Sequence, residues 1–179
     1  MTNKPALISN LWIKSIVFGC FGGLINLLPL SFLSNTEFLF GQLFAFYILF
    51  KYGLRYALVT GSLASSFLFI KWGHSWSAIV LTLELLWLYR YSIQKHKPIF
   101  STGIVFWLLI GIPIIGVIGV VIFNIPWLSI VIAQVKYLLN AMVCLSITNM
   151  VYLYSSHFIS QNKNHKTSLE SLLNQTIST

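Results

Sequence analysis

Residues 103–123 read GIVFWLLIGIPIIGVIGVVIF, an apolar run without a single charge. As a helix, twenty-one residues rising about 1.5 Å each reach about 31 Å, the thickness of a bilayer's hydrocarbon core. A stretch this long and this apolar reads as a membrane span, and the chain on either side repeats the pattern. Working outward, the blocks Leu11–Leu33, Phe38–Tyr52, Leu54–Ile70 and Trp76–Ile93 precede it and Trp127–Tyr154 follows it. They are separated at Ser34-Asn35-Thr36, Gly53, Gly73-His74, Gln94–Pro98 and Asn124-Ile125-Pro126. The expected fold is therefore all-α, a polytopic membrane helix bundle of about six transmembrane helices. Phe38–Tyr52 is the short block: it reaches only about 22 Å, which calls for local thinning of the bilayer or help from flanking residues. Pro113, two residues after Gly111, predicts a kink in the fifth span.

Composition agrees. Of 179 residues 57% are hydrophobic and 8% charged, against about 25% charged in a soluble domain. So few charges cannot cover a water-exposed surface, and the length fits one bundle. The only acids are Glu37, Glu84 and Glu170, so the net charge of +8 comes from Lys and Arg. In a membrane protein that excess speaks of topology and anionic lipid, and no nucleic-acid partner is expected. Cys20 and Cys144 lie inside apolar runs and read as small hydrophobes. The first apolar stretch is longer than a signal-peptide core and has no small-x-small cleavage site after it, so it reads as a retained span.

Basic residues give an independent test of the span count, because cytoplasmic loops collect Lys and Arg. With the N-terminus inside, Lys4, Lys14, Lys51, Arg55, Arg90, Lys95, Lys97, Lys163 and Lys166 fall at the cytoplasmic side, Lys71 falls outside, and Lys136 sits within a span. Omitting any one span scatters basic clusters over both sides. The reading is six spans with both termini inside, in a bacterial cytoplasmic (inner) membrane: residues 1–10 as a cytoplasmic N-terminus, 11–155 as the membrane domain and 156–179 as a polar cytoplasmic tail. Within the tail, Thr167 and Glu170 have capping-box spacing, and Leu169, Leu172, Leu173 and Ile177 recur at helical intervals, as in a short amphipathic helix.

Ionisable groups inside a bilayer are costly, about 2.5–3.5 kcal/mol each at the centre on insertion scales, and need a partner or a purpose. Glu84 lies eight residues past Trp76 and Lys136 nine past Trp127, so both sit about 12–14 Å along their helices. They could meet as a buried ion pair between the fourth and sixth spans. Such a pair either pins two helices together or lines a polar cavity that holds a ligand. Asn140, one turn beyond Lys136, and Asn26, at comparable depth in the first span, extend the polar interior and favour the site. Glu37 opens the second span, where a helix N-terminus stabilises an anion. Alternatively it belongs to a binding mouth with Lys71, Trp72, His74 and Trp76, although Trp at this depth is ordinarily an interfacial anchor.

Gly19-x-x-x-Gly23 and the stripe Ala57, Gly61, Ala64, Ser65 are small-residue surfaces for close helix contact. No HExxH, GxSxG or paired acidic motif is present, and His74, His96, His157 and His165 do not converge in the sequence-derived topology. No catalytic residue, metal or cofactor is expected.

The succession Asn26-Leu-Leu-Pro29, Glu37-Phe-Leu-Phe-Gly41, Ala64-Ser-Ser66, Trp72-Gly-His74, Thr82-Leu-Glu84, Trp107-Leu-Leu-Ile-Gly-Ile-Pro113 and Lys136-x-x-x-Asn140 resembles the N-terminal multi-span membrane sensor (input) domain of bacterial sensor histidine kinases and GGDEF diguanylate cyclases. The similarity covers Phe18 to Tyr154. It implies a sensory module that binds a small ligand from the outer side and works with a kinase or cyclase output protein, with the lipid bilayer and a second copy of the chain as further partners. In such proteins PAS, kinase or GGDEF modules follow; here Thr167-Ser-Leu-Glu-Ser-Leu-Leu173 looks like the start of a next membrane segment. The rival expectations are a substrate-binding membrane subunit of a small-molecule uptake system and a purely structural membrane subunit.

Overall fold

The computed structural model describes the backbone of residues 4–28, 31–33, 36–73 and 76–177, and the side chains of 10–28, 38–71, 73 and 76–155. The chain is helical almost throughout. Helix α1 is Lys4–Leu27, α2 Gln42–Tyr52, α3 Leu54–Trp72, α4 Trp76–Leu88, α5 Ile99–Phe106, α6 Ile112–Val117 and α7 Trp127–Ile177. Between α1 and α2 lies a small antiparallel ribbon, β1 (Ser31–Leu33) and β2 (Thr36–Glu37), paired Ser31 to Glu37 and Leu33 to Thr36. Among the described residues, three helical stretches are long and apolar enough to cross a membrane by themselves: Asn10–Leu27, Ile99–Ile122 and Trp127–Ser155. They make this a membrane protein with a helical fold. The remaining helices are shorter, or in α3 interrupted by Thr60, Ser62, Ser65 and Ser66.

The chain turns where Gly, Pro and Asn had marked it. Gly53 (φ 95°) separates α2 from α3 and Gly73 (φ 68°) ends α3, both in backbone conformations that a side chain resists. His96 (φ 53°) and Asn124 (φ 51°) hold the left-handed turns before α5 and before α7. The long helix through 99–122 does not break at Pro113. It contains two π-turns, Trp107–Gly111 and Ile118–Ile122, and a third extends α4 over Tyr89–Ile93. Ile112 N–H bonds back to the Trp107 carbonyl, five residues away. The wider π ring thus sits directly before Pro113, whose ring would otherwise meet a carbonyl one turn back. The irregularity expected at Pro113 takes the form of this π-turn.

The short second block is the clearest departure from expectation. Residues 38–41 are not helical, α2 has only 11 residues, and it lies at the middle of the bundle, against α1, α3, α4 and α7. Gln42, Ala45, Phe46, Ile48 and Leu49 are all buried. A helix enclosed by other helices need not match the lipid thickness, so the shortness of the block follows from its central position. Its side chains join Ala57, Leu85, Leu88, Cys144 and Leu145 in the main core. A second core, Val80, Phe106, Trp107 and Ala141, lies between α4, the 99–122 helix and α7. Side chains such as Leu109, Val121 and Met150 point outward, forming an apolar exterior.

The small residues act as contact surfaces. A Cβ on Gly19 would stand 2.8 Å from Leu63 Cβ, and one on Gly23 2.4 Å from the Phe67 ring, so α1 and α3 approach along the Gly19–Gly23 face. Gly61 faces Leu85 and Ala45 in the same way. Helix α7, with no Gly or Pro between Trp127 and Ile177, stays helical along its backbone into the polar tail, so Thr167 caps no separate helix. Nothing in that segment forces the chain out of helical φ/ψ before the capping-box residues.

One position tests the packing sharply. A Cβ on Gly41 would lie 2.4 Å from the Gly22 carbonyl oxygen and 2.5 Å from Asn26 Nδ2. Gly41→Ala should lower the stability of the solubilised protein by about 1–3 kcal/mol, the usual range for overpacking, whereas outward-facing Leu109→Ala should stay within about 0.5 kcal/mol. Reversible unfolding in mixed micelles measures both; equal stability of Gly41→Ala and wild type would remove the close approach of α1 to residue 41.

Candidate functional site

Non-helical backbone inside an apolar bundle must find its hydrogen bonds within the protein. The Phe40 and Gly41 carbonyls accept from the Leu43 and Phe44 N–H groups, and two asparagines serve Leu39 and the Gly41 N–H. Asn26, near the end of α1, accepts from Gly41 N–H (2.8 Å) and donates to the Ala64 carbonyl of α3 (3.2 Å). Asn140, on α7, accepts from Leu39 N–H (2.9 Å) and donates to the Leu39 carbonyl (3.3 Å). A side-chain amide offers a donor and an acceptor side by side, so one Asn can satisfy both groups of one peptide residue. Thr148 Oγ1 adds a bond to the Leu43 carbonyl (3.4 Å), again from α7 to the first turn of α2. The entry to α2 is thereby held from α1 and from α7.

Glu84 lies at the same level. Ala64 is eight residues before Trp72 and Glu84 eight after Trp76, so each lies about 12 Å along its helix. The Glu84 side chain is fully buried. Its Oε2 accepts from Gln42 Nε2, at the start of α2, and its Oε1 from the Trp107 indole N–H (2.8 Å). Among the described residues Glu84 forms a triad with neutral donors from α2 and from the π-turn, where the sequence suggests an ion pair with Lys136. Both carboxyl oxygens are engaged at hydrogen-bond distance, and Lys136 lines a neighbouring cavity that the Trp107 ring also lines.

That cavity measures about 390 Å³ and lies between α4, the 99–122 helix and α7. It extends from Trp76 and Phe123, at one end of the bundle, down to Trp107 and Lys136. Trp107 stacks on Tyr137, with ring centroids 6.1 Å apart and planes at 10°. Trp107 thus belongs to both sites: its ring lines the cavity while its N–H holds Glu84. On the other side of α2, a space of about 10 Å³ is lined by Asn26, Gln42, Ser65 and Thr82, about the room one water needs.

The structure brings Glu84, Asn26 and Asn140 together around α2, and places Lys136 at the neighbouring cavity. The Lys71 ammonium donates to the Asn26 carbonyl (3.3 Å) at the end of α1, where a cation suits the helix dipole. Glu37 has its backbone in β2, but its side chain, that of Trp72, and the whole of His74 lie outside the described residues. Sequence reading missed Gln42, Trp107 and the backbone of Leu39. Two signals were present: an amide within an apolar block, and a Trp placed mid-span rather than at an interface. Comparison with protein-family models, curated proteins and solved structures finds no match.

The triad and the lysine separate in a double-mutant cycle. Glu84→Gln combined with Trp107→Phe should show a coupling of about 0.5–3 kcal/mol in unfolding free energy, as for groups sharing one hydrogen bond, whereas Glu84→Gln with Lys136→Met should be additive within about 0.5 kcal/mol. Asn140→Leu leaves the Leu39 N–H without its partner, while the Leu39 carbonyl keeps the Cys144 thiol at 3.7 Å, and should cost about 1–3 kcal/mol. Stronger coupling of Glu84 to Lys136 than to Trp107 would restore the ion pair.

Proposed function

We propose that this chain is a membrane-embedded sensory input module whose cavity takes a small ligand from the outer side, and that it acts on a kinase or cyclase output protein. The observation that carries the reading is the double role of Trp107. A ligand filling the cavity presses on a ring whose N–H is bonded to Glu84, and Glu84 is bonded in turn to the first residue of α2. From there the Leu39–Asn140 and Leu43–Thr148 bonds reach α7, whose helical backbone continues through Ile177 toward the position where an output module would be joined. Occupancy of the cavity is in this way tied to the helix that leaves the bundle. The succession of motifs shared with sensor input domains supports the same reading, while a binding subunit of an uptake system would need the cavity but not the link to α7.

The proposal includes six crossings with both termini cytoplasmic, in a bacterial inner membrane. The partition of basic residues supports it, with nine inside and Lys71 outside. In this topology the second crossing is made jointly by residues 36–41 and α2, and the cavity mouth near Trp76 and Phe123 faces outward.

Two measurements test these statements. In single-cysteine variants expressed in intact cells, a membrane-impermeant maleimide should label position 124 and not position 95; strong labelling of Lys95→Cys from outside would overturn the topology. For signalling, the chain fused after Thr179 to a histidine-kinase module should change its autophosphorylation at least threefold when Ile115→Trp fills the cavity, with Trp107→Phe added to that variant abolishing the change. Kinase activity within twofold of wild type in all variants, at equal membrane levels, would reject the sensory role.

A further inference from the structure

Thr60, Thr82 and Thr102 each donate to the carbonyl four residues back, at 3.0, 2.7 and 2.8 Å, and so avoid the cost of enclosing a bare hydroxyl. Ser77 does not. It is the second residue of α4, so Gly73, four residues back, precedes the helix. Its side chain is buried, at 7% exposure, and among the described residues its Oγ makes no hydrogen bond. The Tyr137 hydroxyl, across on α7, is within electrostatic reach of it but not in hydrogen-bonding geometry. Both residues line the cavity of about 390 Å³ between α4, the 99–122 helix and α7. A buried hydroxyl without a partner lowers stability, and an alanine there would avoid the penalty. Its place on the cavity wall points to a partner that arrives with a ligand. The surrounding wall is largely apolar: Val80, Ile115, Ile118 and Phe123 offer contact area and no hydrogen-bonding side chain, and the Trp107 N–H is committed to Glu84.

We propose that this cavity binds a largely apolar carbonyl compound, its oxygen accepting from the Ser77 and Tyr137 hydroxyls and its body lying against Val80, Ile115, Ile118 and Phe123. This rests on the ligand-binding reading above and adds the chemical class. A carbonyl oxygen has two lone pairs and no proton, so it takes one bond from each hydroxyl and leaves no donor of its own unsatisfied. An alcohol brings a proton that needs a third partner, and a hydrocarbon leaves Ser77 as it was. The cavity's size lies in the range of small-molecule sites.

The test uses the full chain in phosphatidylcholine nanodiscs with three probes of one shape: benzophenone, diphenylmethanol and diphenylmethane, each concentration corrected for partition into protein-free discs. Irradiated benzophenone inserts into nearby C–H bonds, so bound probe marks its own place, and the other two are read as competitors. Labelling should saturate and map to the cavity wall, with diphenylmethane about tenfold and diphenylmethanol about threefold weaker than the ketone. Ser77→Ala should weaken benzophenone about three- to tenfold, the loss of one neutral hydrogen bond, and leave diphenylmethane within about twofold. Tyr137→Phe, which keeps the ring against Trp107, should do the same, and Ser77→Thr, which keeps the hydroxyl, should retain the ketone preference. Without probe, Ser77→Ala should melt no lower than wild type, because no bond is lost. Equal affinity of the three probes for wild type overturns the carbonyl class, as does an equal loss for all three in Ser77→Ala. A lower melting temperature of Ser77→Ala removes the unpartnered hydroxyl and overturns the class as well. Ile115→Trp, which fills the cavity, should weaken all three probes about tenfold. If it leaves them unchanged, or if the label maps outside the cavity, the ligand-binding reading fails too; if it weakens them but wild type shows no ketone preference, the class alone fails.

Discussion

The backbone of residues 38–41 is the constraint on which the rest of the bundle depends. These residues enter the middle of an apolar structure without the internal hydrogen bonds of a helix, and each unpaired N–H or C=O there would cost several kcal/mol. Asn26 and Asn140 remove that cost at Leu39 and at the Gly41 N–H, and in doing so they fix α1, α3 and α7 relative to the start of α2. Leu39 and Asn140 are 101 residues apart in the chain, so the bond between them closes the bundle from its two ends. The close contact of Gly22 with Gly41 belongs to the same solution, because the asparagine reaches residue 41 only if α1 comes near enough.

Glu84 adds a second tie at that level, and its chemistry differs from that of an ion pair. A carboxylate held by an amide and an indole links α2, α4 and the 99–122 helix through directional bonds with short reach. Such a group responds to small displacements of its donors, whereas a lysine on a flexible stem could follow them. Trp107 is one of those donors and also part of the cavity wall. The π-turn that begins at Trp107 accommodates Pro113, so the residue joining the cavity to the core sits where the helix departs from α geometry. Single π-turns of this kind are found at functional sites more often than elsewhere in helices.

Much of the fold was legible because membrane solvation acts on local stretches of sequence. The blocks Leu54–Ile70, Trp76–Ile93, Gly103–Phe123 and Trp127–Tyr154 correspond to helical stretches, and Gly53, Gly73, His96 and Asn124 hold the turns between elements. Block length alone could not tell a short span facing lipid from a short helix enclosed by others, which is why Phe38–Tyr52 was expected to cross only with local thinning of the bilayer or help from flanking residues. The site was legible only in its members. Glu84, Asn26 and Asn140 could be picked out as polar groups in apolar surroundings, and depth counting placed them at one level. Their partners could not be read the same way, because matched depth leaves the rotation of each helix about its axis undetermined.

The sequence by itself determined that the chain folds in a membrane as helices, where those helices turn, and which polar residues lie in the interior. These follow from the cost of exposing charge or backbone to hydrocarbon, a cost paid residue by residue and therefore visible in one dimension. Only the tertiary structure decided that α2 is the central helix, that the asparagines serve the backbone of 38–41, and that Glu84 takes Gln42 and Trp107 while Lys136 lines the cavity. Those outcomes depend on which helix faces touch and how they are rotated, and hydrogen bonds shorter than about 3.2 Å distinguish between faces that hydropathy treats as equal.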